Sequence, residues 1–159
     1  MGNVKTNALR ILDQKKITYE IFQYNNQDGK IDGRSVAKKI KQDQRLVYKT
    51  LVTISGSGMI YVFVIPVDSE LDLKKAAKVA GEKKMEMLPM KDIQSWTGYI
   101  RGGCSPVGMK KQYRTYINES AKTQDNVIVS AGKIGVQMKL KVDDLLAAVN
   151  GDFADVIQR

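Results

Sequence analysis

The sequence contains no histidine, and it has one cysteine and one tryptophan among its 159 residues. Without histidine, the chain lacks the side chain that most often acts as a general base or a metal ligand. The lone cysteine, Cys104, excludes an internal disulfide and a cysteine cluster for zinc, and it indicates a reducing compartment. Neither a carboxylate pair nor a metal-ligand cluster stands out, so we expect no metal site.

Long apolar runs are also absent. The longest covers residues 59–67, far short of the roughly 20 residues that a membrane-spanning helix needs. The N-terminal sequence MGNVKTNALRIL lacks the uninterrupted apolar segment of a secretory signal peptide. We therefore expect a cytoplasmic protein that does not span a membrane.

Positive charge is plentiful. Lysine and arginine outnumber aspartate and glutamate by 26 to 17, which gives a formal net charge of +9. Such a surface attracts polyanions, and nucleic acid is the first candidate. The alternative is a basic surface that serves only solubility, and charge alone does not decide between the two.

Hydrophobic periodicity predicts one α+β domain over residues 1–159, with a mixed or mostly antiparallel sheet. Helices are predicted near residues 8–15, with Asn7 or Thr6 as the cap, after a cap at Ser35, and over 73–80, 91–96 and 143–149. Strands are predicted over 19–24, 46–54, 59–66, 112–118, 126–130 and 136–142. The sequence SGSG at 55–58 predicts a hairpin between two of these strands.

Lys49 is a candidate functional residue because it lies in a β-rich stretch, LVYKTLVTI. On a strand it would share one face with Val47, Leu51 and Thr53. Partly apolar surroundings of this kind would hold its ammonium group close to a substrate. The alternative is a solvated lysine on an edge strand, which is a common protection against aggregation.

The glycine-rich stretch at 97–111, TGYIRGGCSPVGMKK, is a second candidate. Gly102 and Gly103 can adopt positive φ and bring backbone N–H groups to a ligand oxygen, while Pro106 fixes the exit of the turn. This suits an oxyanion or phosphate cradle, although a plain tight connection explains the pattern nearly as well. Cys104 is a poor candidate nucleophile because no histidine is available to activate it.

Ser130 is expected to close a strand, where its hydroxyl would contact a substrate hydroxyl or satisfy the backbone of the next turn. Two cationic clusters suit the phosphates of a nucleic acid. They comprise Lys110, Lys111 and Arg114, and Lys133, Lys139 and Lys141. Solvated faces are the alternative interpretation of both clusters.

Four motifs occur in order: KTLV at 49–52, LKKAAK at 73–78, the glycine-rich stretch, and SAGKIG at 130–135. Together they resemble the YbaK/EbsC family of Cys-tRNA(Pro) deacylases, relatives of the editing domain of some prolyl-tRNA synthetases. The resemblance covers nearly the whole chain and implies a barrel-like, mostly antiparallel sheet surrounded by helices. Two positions depart from the family pattern, since Cys104 stands where an aliphatic residue is common and Ala131 where a glycine is common.

The resemblance implies a trans-editing enzyme that cleaves the ester between a mischarged cysteine and tRNA(Pro), without metal or organic cofactor. In this family the substrate's own thiol is the implied nucleophile, which suits a chain without histidine. The implied catalytic residues are Lys49 and Gly102, and the implied substrate-binding residues are Tyr24, Thr50, Gly103, Ser105, Pro106 and Ser130. The implied partners are tRNA, bound through Lys110, Lys111, Arg114 and Lys133, and transiently prolyl-tRNA synthetase.

Two other functions stay open at this point. One is a sibling deacylase for Ala-tRNA(Pro) or another misacylated tRNA. The other is a non-catalytic module that binds the acceptor end of tRNA. Such modules usually present stacking aromatic side chains, whereas aromatic residues make up only 7% of this chain and Trp96 is the single tryptophan.

Overall fold

The computed structural model describes residues 5–159, which form five α-helices and eight β-strands. The helices are α1 (Asn7–Gln14), α2 (Gly33–Lys39), α3 (Leu73–Ala80), α4 (Ile93–Thr97) and α5 (Val142–Ala148). The strands are β1 (Tyr19–Gln23), β2 (Tyr48–Ser55), β3 (Ile60–Pro66), β4 (Met85–Met87), β5 (Arg114–Asn118), β6 (Asn126–Lys133), β7 (Val136–Lys141) and β8 (Asp152–Ala154). Within these described residues, no helix is long and apolar enough to cross a membrane.

The strands form two open sheets. The smaller sheet has the order β1-β7-β6 and is antiparallel throughout. The larger sheet has the order β4-β2-β3-β5-β8, in which β5 runs parallel to both β3 and β8. The mixed, mostly antiparallel α+β architecture is therefore confirmed. The sheets meet at a bridge between Val47 and Ile128 and do not close into one barrel.

The larger sheet is covered on both faces. On one face Val64 packs in the same cluster as Leu12 of α1 and the buried residues of β6 and β7. On the other face Phe63 packs in a cluster with Ala76 of α3. Strands that are covered on both faces read as continuous apolar runs, which explains why every residue of β3 is buried.

Several local predictions are confirmed. Thr6 caps α1, and its side chain accepts a hydrogen bond from the Leu9 N–H. The lysine-rich helix α3 has the predicted bounds and ends at Gly81, which is in the left-handed conformation. The predicted hairpin is formed by β2 and β3, paired antiparallel.

Other local predictions are wrong. Ser35 does not cap α2, because the helix begins two residues earlier and the Asp32 carboxylate accepts from the Ser35 N–H at 3.2 Å. The helix expected at 91–96 is divided into a 3-10 turn, Met90–Asp92, and the short α4. Strands β4 and β8 were not predicted, because three residues are too few to show an alternating pattern.

Candidate functional site

An unpaired stretch of β2 forms one side of the candidate site. β3 pairs with β2 along residues 48–54, whereas β4 pairs only with residues 53–55. On the β4 side, the Leu88 N–H donates to the Val52 carbonyl at 3.0 Å. Hydrogen-bonding direction alternates along a strand, so the backbone N–H and C=O of Thr50 also point to this side. Within residues 5–159, no strand pairs with Thr50 on that side, so the backbone beside Lys49 is open to a ligand.

A cavity of about 470 Å³ follows this edge, and its volume is typical of a small-ligand site. Its walls come from β2, the start of α2, the glycine-rich stretch and the β6–β7 hairpin. Four of the predicted site residues line it together: Lys49 and Thr50 from β2, Gly102 from the glycine-rich stretch, and Ser130 from β6. The fold thus brings residues from distant parts of the sequence to one place.

The other predicted substrate-binding residues do not line the cavity. Tyr24 follows β1, and its ring lies 5.7 Å from the Lys39 ammonium group. Gly103, Ser105 and Pro106 are buried inside the glycine-rich stretch. These three residues shape the loop that carries Gly102, rather than facing the cavity themselves.

The two adjacent glycines have different environments. Gly102 has a φ of 85°, in the left-handed region, and its N–H donates to no acceptor within residues 5–159. The Gly103 N–H donates to the Ile100 carbonyl at 3.0 Å and closes a turn. A Cβ at Gly103 would lie 2.9 Å from the backbone nitrogen of Ile134, so the loop packs directly against the β6–β7 turn. The amide of Gly102 is therefore the free donor of the pair.

Ser130 takes the backbone role that the sequence left open, and its contact with a substrate hydroxyl stays a prediction. Its hydroxyl oxygen accepts a hydrogen bond from the Gly132 N–H at 3.2 Å, and the residue also lines the cavity. A hydroxyl that accepts one hydrogen bond still has a hydrogen to donate. The prediction that Ser130 closes its strand is wrong, because β6 continues to Lys133 through an irregularity in its pairing with β7.

Gln137 on β7 also lines the cavity, and the sequence predictions missed it. It lies directly opposite Ser130 in the β6–β7 pairing, is only 7% exposed, and forms no side-chain hydrogen bond with any described residue. Among the described residues, the Thr50 hydroxyl is the buried side-chain group without a hydrogen-bond partner. Buried polar groups normally have partners, so this hydroxyl is a candidate contact for a polar ligand, and the Gln137 side chain lines the same cavity. The signal that the sequence offered for Gln137 was its position as a polar residue between two apolar ones, Val136 and Met138, which are buried in the structure.

Charged side chains of both signs surround the cavity. They are Arg34, Lys49 and Arg101, and Asp32, Asp68 and Glu70. Lys49 is half-buried and forms no ion pair with any residue in 5–159. Hydrogen bonds from Ser35 lower the pKa of Asp32, which is occupied in capping α2. This arrangement suits a ligand that combines an ammonium group with ester or phosphate oxygens.

Cys104 forms a less polar part of the wall. Burial raises the pKa of its thiol to about 11, so only about one molecule in ten thousand carries the thiolate at pH 7. It packs with Val52 and Leu88. The structure thus agrees with the prediction that Cys104 is a poor nucleophile. The described residues also contain no cluster of side chains that could hold a metal ion.

The four cations predicted to bind tRNA are exposed and lie outside the cavity. The Lys110 ammonium donates to the Ser95 carbonyl at 3.0 Å, and the Arg114 guanidinium lies 5.4 Å from the ring centre of Tyr116. Lys111 lies between them in the chain. Lys133 adjoins the glycine-rich stretch, because a Cβ at Gly103 would lie 3.1 Å from its carbonyl carbon.

The fold and the site define an α+β protein with a cavity at an open strand edge and basic residues around its glycine-rich loop. The family model of the aminoacyl-tRNA editing domain matches residues 33–148. The chain is also 45% identical over 152 residues to EbsC of Enterococcus faecalis, a protein named for Cys-tRNA(Pro)/Cys-tRNA(Cys) deacylase activity. That match covers 96% of this chain and 93% of EbsC. The chain therefore belongs to the aminoacyl-tRNA editing-domain family, as its motifs predicted.

Solved structures show the same fold. A protein described as a trans-editing enzyme for prolyl-tRNA synthetase superposes with a TM-score of 0.84 at 19% identity, over 99% of this chain and 100% of that one. The hypothetical protein APE2540 superposes with a TM-score of 0.87 at 19% identity, over 96% of this chain and 100% of that one. At these identities the comparison concerns the fold and not the activity.

Proposed function

We propose that this protein is an aminoacyl-tRNA deacylase that removes cysteine from mischarged tRNA(Pro). The observation that carries the proposal is the convergence of Lys49, Thr50, Gly102 and Ser130 on one cavity. The 45% identity to EbsC, whose name specifies Cys-tRNA(Pro) and Cys-tRNA(Cys), supports this substrate. Because aminoacyl-tRNA is consumed in translation, we assign the activity to the cytoplasm.

In the proposed reaction, the thiol sulfur of the bound cysteine attacks its own ester carbonyl carbon. A carbon–sulfur bond forms, the carbon–oxygen bond to the terminal ribose breaks, and the thiol proton passes to the ribose oxygen. The products are free tRNA and a cyclic thiolactone, which water then opens to cysteine. The nucleophile arrives with the substrate, so the protein needs no histidine and contributes position and charge stabilisation.

Each cavity residue has a role in this scheme. The Lys49 ammonium orients the ester and stabilises negative charge on the ribose oxygen as it leaves. The free N–H of Gly102 donates to the carbonyl oxygen, where negative charge develops in the transition state. Ser130 donates to a ribose hydroxyl, and the unpaired groups of Thr50 and Gln137 bind the remaining polar atoms. A cavity of about 470 Å³ admits an amino acid and its ribose and acts as a second sieve for a residue that a synthetase rejects poorly.

The test is a deacylation assay with purified Cys-, Ala- and Pro-tRNA(Pro). We expect turnover of the cysteinyl substrate and loss of about 100-fold or more in kcat/KM in Lys49→Ala, in the range for removal of one charge-stabilising group. Lys15→Ala, which removes an exposed lysine at the end of α1, is the matched control and should keep wild-type activity.

Other outcomes discriminate between the remaining functions. Preferential turnover of Ala-tRNA(Pro) would identify a sibling deacylase, and binding without turnover of any substrate would identify a non-catalytic module. Replacement of the substrate thiol by a hydroxyl, as in Ser-tRNA(Pro), should abolish rapid turnover. Equal rates for the two substrates would contradict attack by the thiol.

A transient complex with prolyl-tRNA synthetase is part of the proposal, and co-sedimentation with and without tRNA(Pro) tests it.

A further inference from the structure

Exposed apolar side chains are concentrated in one segment next to the cavity. Within the described part of the chain, six large apolar residues are exposed, and four of them lie between positions 87 and 100. They are Met87, Met90, Trp96 and Ile100, exposed by 43%, 60%, 37% and 50%. The segment leads directly into Arg101 and Gly102, which line the cavity. Clustered exposure of this kind marks an interaction surface.

A basic segment lies against the same surface. The Lys110 N–H donates to the Thr97 carbonyl at 3.0 Å, and its ammonium donates to the Ser95 carbonyl at 3.0 Å. The Tyr113 hydroxyl donates to the Trp96 carbonyl at 2.7 Å. These contacts place Lys110 and Tyr113 against the backbone that carries Trp96, and Lys111 follows Lys110 in the chain.

The charges favour a nucleic acid over a protein partner. Residues 90–114 contain five basic residues and one acidic residue, Asp92. The basic residues are Lys91, Arg101, Lys110, Lys111 and Arg114. Single-stranded nucleic acids bind where positive charges follow the phosphates and an aromatic side chain stacks on a base. This face has both features, and it ends at a cavity suited to an ester.

We propose that Trp96 and Ile100 form a stacking platform for the unpaired 3′-terminal nucleotides of the tRNA. Lys110, Lys111 and Arg101 bind the phosphates of the same nucleotides. This inference rests on the proposed function, because the terminal ribose carries the ester that enters the cavity. The five steps along the chain from Trp96 to Arg101 span at most about 18 Å, a distance that a few unpaired nucleotides bridge.

The single tryptophan makes the platform directly measurable. The probe is an uncharged RNA minihelix with a single-stranded CCA end, compared with the same minihelix cut to a blunt end. We expect the CCA-ended RNA to quench Trp96 fluorescence saturably, with an affinity that falls as salt rises. The blunt RNA should bind about tenfold more weakly, in keeping with the loss of stacked bases.

Variants separate stacking from general structure, with binding measured by the anisotropy of labelled RNA. We expect Trp96→Ala to weaken binding of the CCA-ended RNA by about tenfold, and Trp96→Phe to retain most of the affinity. Leu73→Ala is the control, because Leu73 is also 37% exposed but lies on α3. Circular dichroism verifies that each variant is folded.

Three results would overturn the platform: equal affinity for both RNAs, no effect of Trp96→Ala, or quenching by prolyl-tRNA synthetase but by neither RNA. The last result would assign the surface to a protein. Because the RNA is uncharged, the measurement does not depend on deacylation. RNA binding without deacylation would refute the proposed function alone, and deacylation with unchanged RNA binding in Trp96→Ala would refute the platform alone.

Discussion

Replacing Gly102 by alanine tests the backbone amide that we assign to the substrate carbonyl. Gly102 has a φ of 85°, a conformation that costs an L-amino acid roughly 1–2 kcal/mol. The new Cβ would also come within 2.9 Å of the Ile31 Cδ1 atom, the end of a side chain that can rotate away. We therefore expect the free energy of unfolding to fall by about 1–2 kcal/mol while the fold is retained.

Gly58 provides a matched control for the backbone strain. It lies in the β2–β3 turn with a φ of 87°, and a Cβ there would have no neighbour within 4 Å. Gly58→Ala should lose the same stability in urea denaturation and keep wild-type deacylation. Alanine keeps the N–H, but relaxation of its backbone away from positive φ would turn that N–H away from the substrate oxygen. Gly102→Ala should therefore lose about 100-fold in kcat.

The comparison of the two variants decides the question. If both lose similar stability and both keep wild-type kcat for Cys-tRNA(Pro), the Gly102 amide has no part in the reaction. A far larger stability loss in Gly102→Ala would show that the Ile31 contact is rigid and that the expected magnitude is wrong.

Two further predictions concern the loop at 25–30, which leads into Ile31 and Asp32 of the cavity wall, and Cys104, which is part of that wall. The Lys39 ammonium donates to the Asn25 carbonyl at 2.7 Å, the Asp28 carboxylate at 2.8 Å and the Lys30 carbonyl at 3.0 Å. Lys39→Met should therefore speed hydrogen exchange in residues 25–30 and raise KM more than it lowers kcat. Unchanged exchange would contradict this prediction. The Cys104 pKa of about 11 predicts that the rate of alkylation by iodoacetamide rises about tenfold per pH unit from pH 8 to 10. In the protein unfolded in urea, the rate should level off above about pH 9. A plateau near pH 9 in the folded protein would refute the raised pKa.

Local structure was predictable where the sequence carries a period. The lysine-rich helix α3 has apolar residues at helical spacing and a terminating glycine, and its bounds were correct. The β2–β3 hairpin followed from two β-rich runs joined by glycines. Because these signals act over a few residues, they do not depend on the rest of the fold.

Contacts between distant segments decide which of the predicted site residues line the cavity. The cavity is lined by four of the predicted residues, Lys49, Thr50, Gly102 and Ser130. Gly103 and Ser105 are instead buried inside the glycine-rich loop. Nothing local distinguishes Gly102 from Gly103. The difference arises because Gly103 packs against the backbone at Ile134, a contact between segments that are distant in the sequence.

The sequence by itself determined most of the longer helices and strands, the excess of positive charge and the absence of a histidine base, since these follow from residue identity and short-range periodicity. Only the tertiary structure decided which edge of β2 stays open, that Gln137 lies opposite Ser130, and that the Gly102 amide is left without a partner. These properties depend on the pairing of remote strands and on the packing of loops against them, which the order of residues does not reveal without the fold.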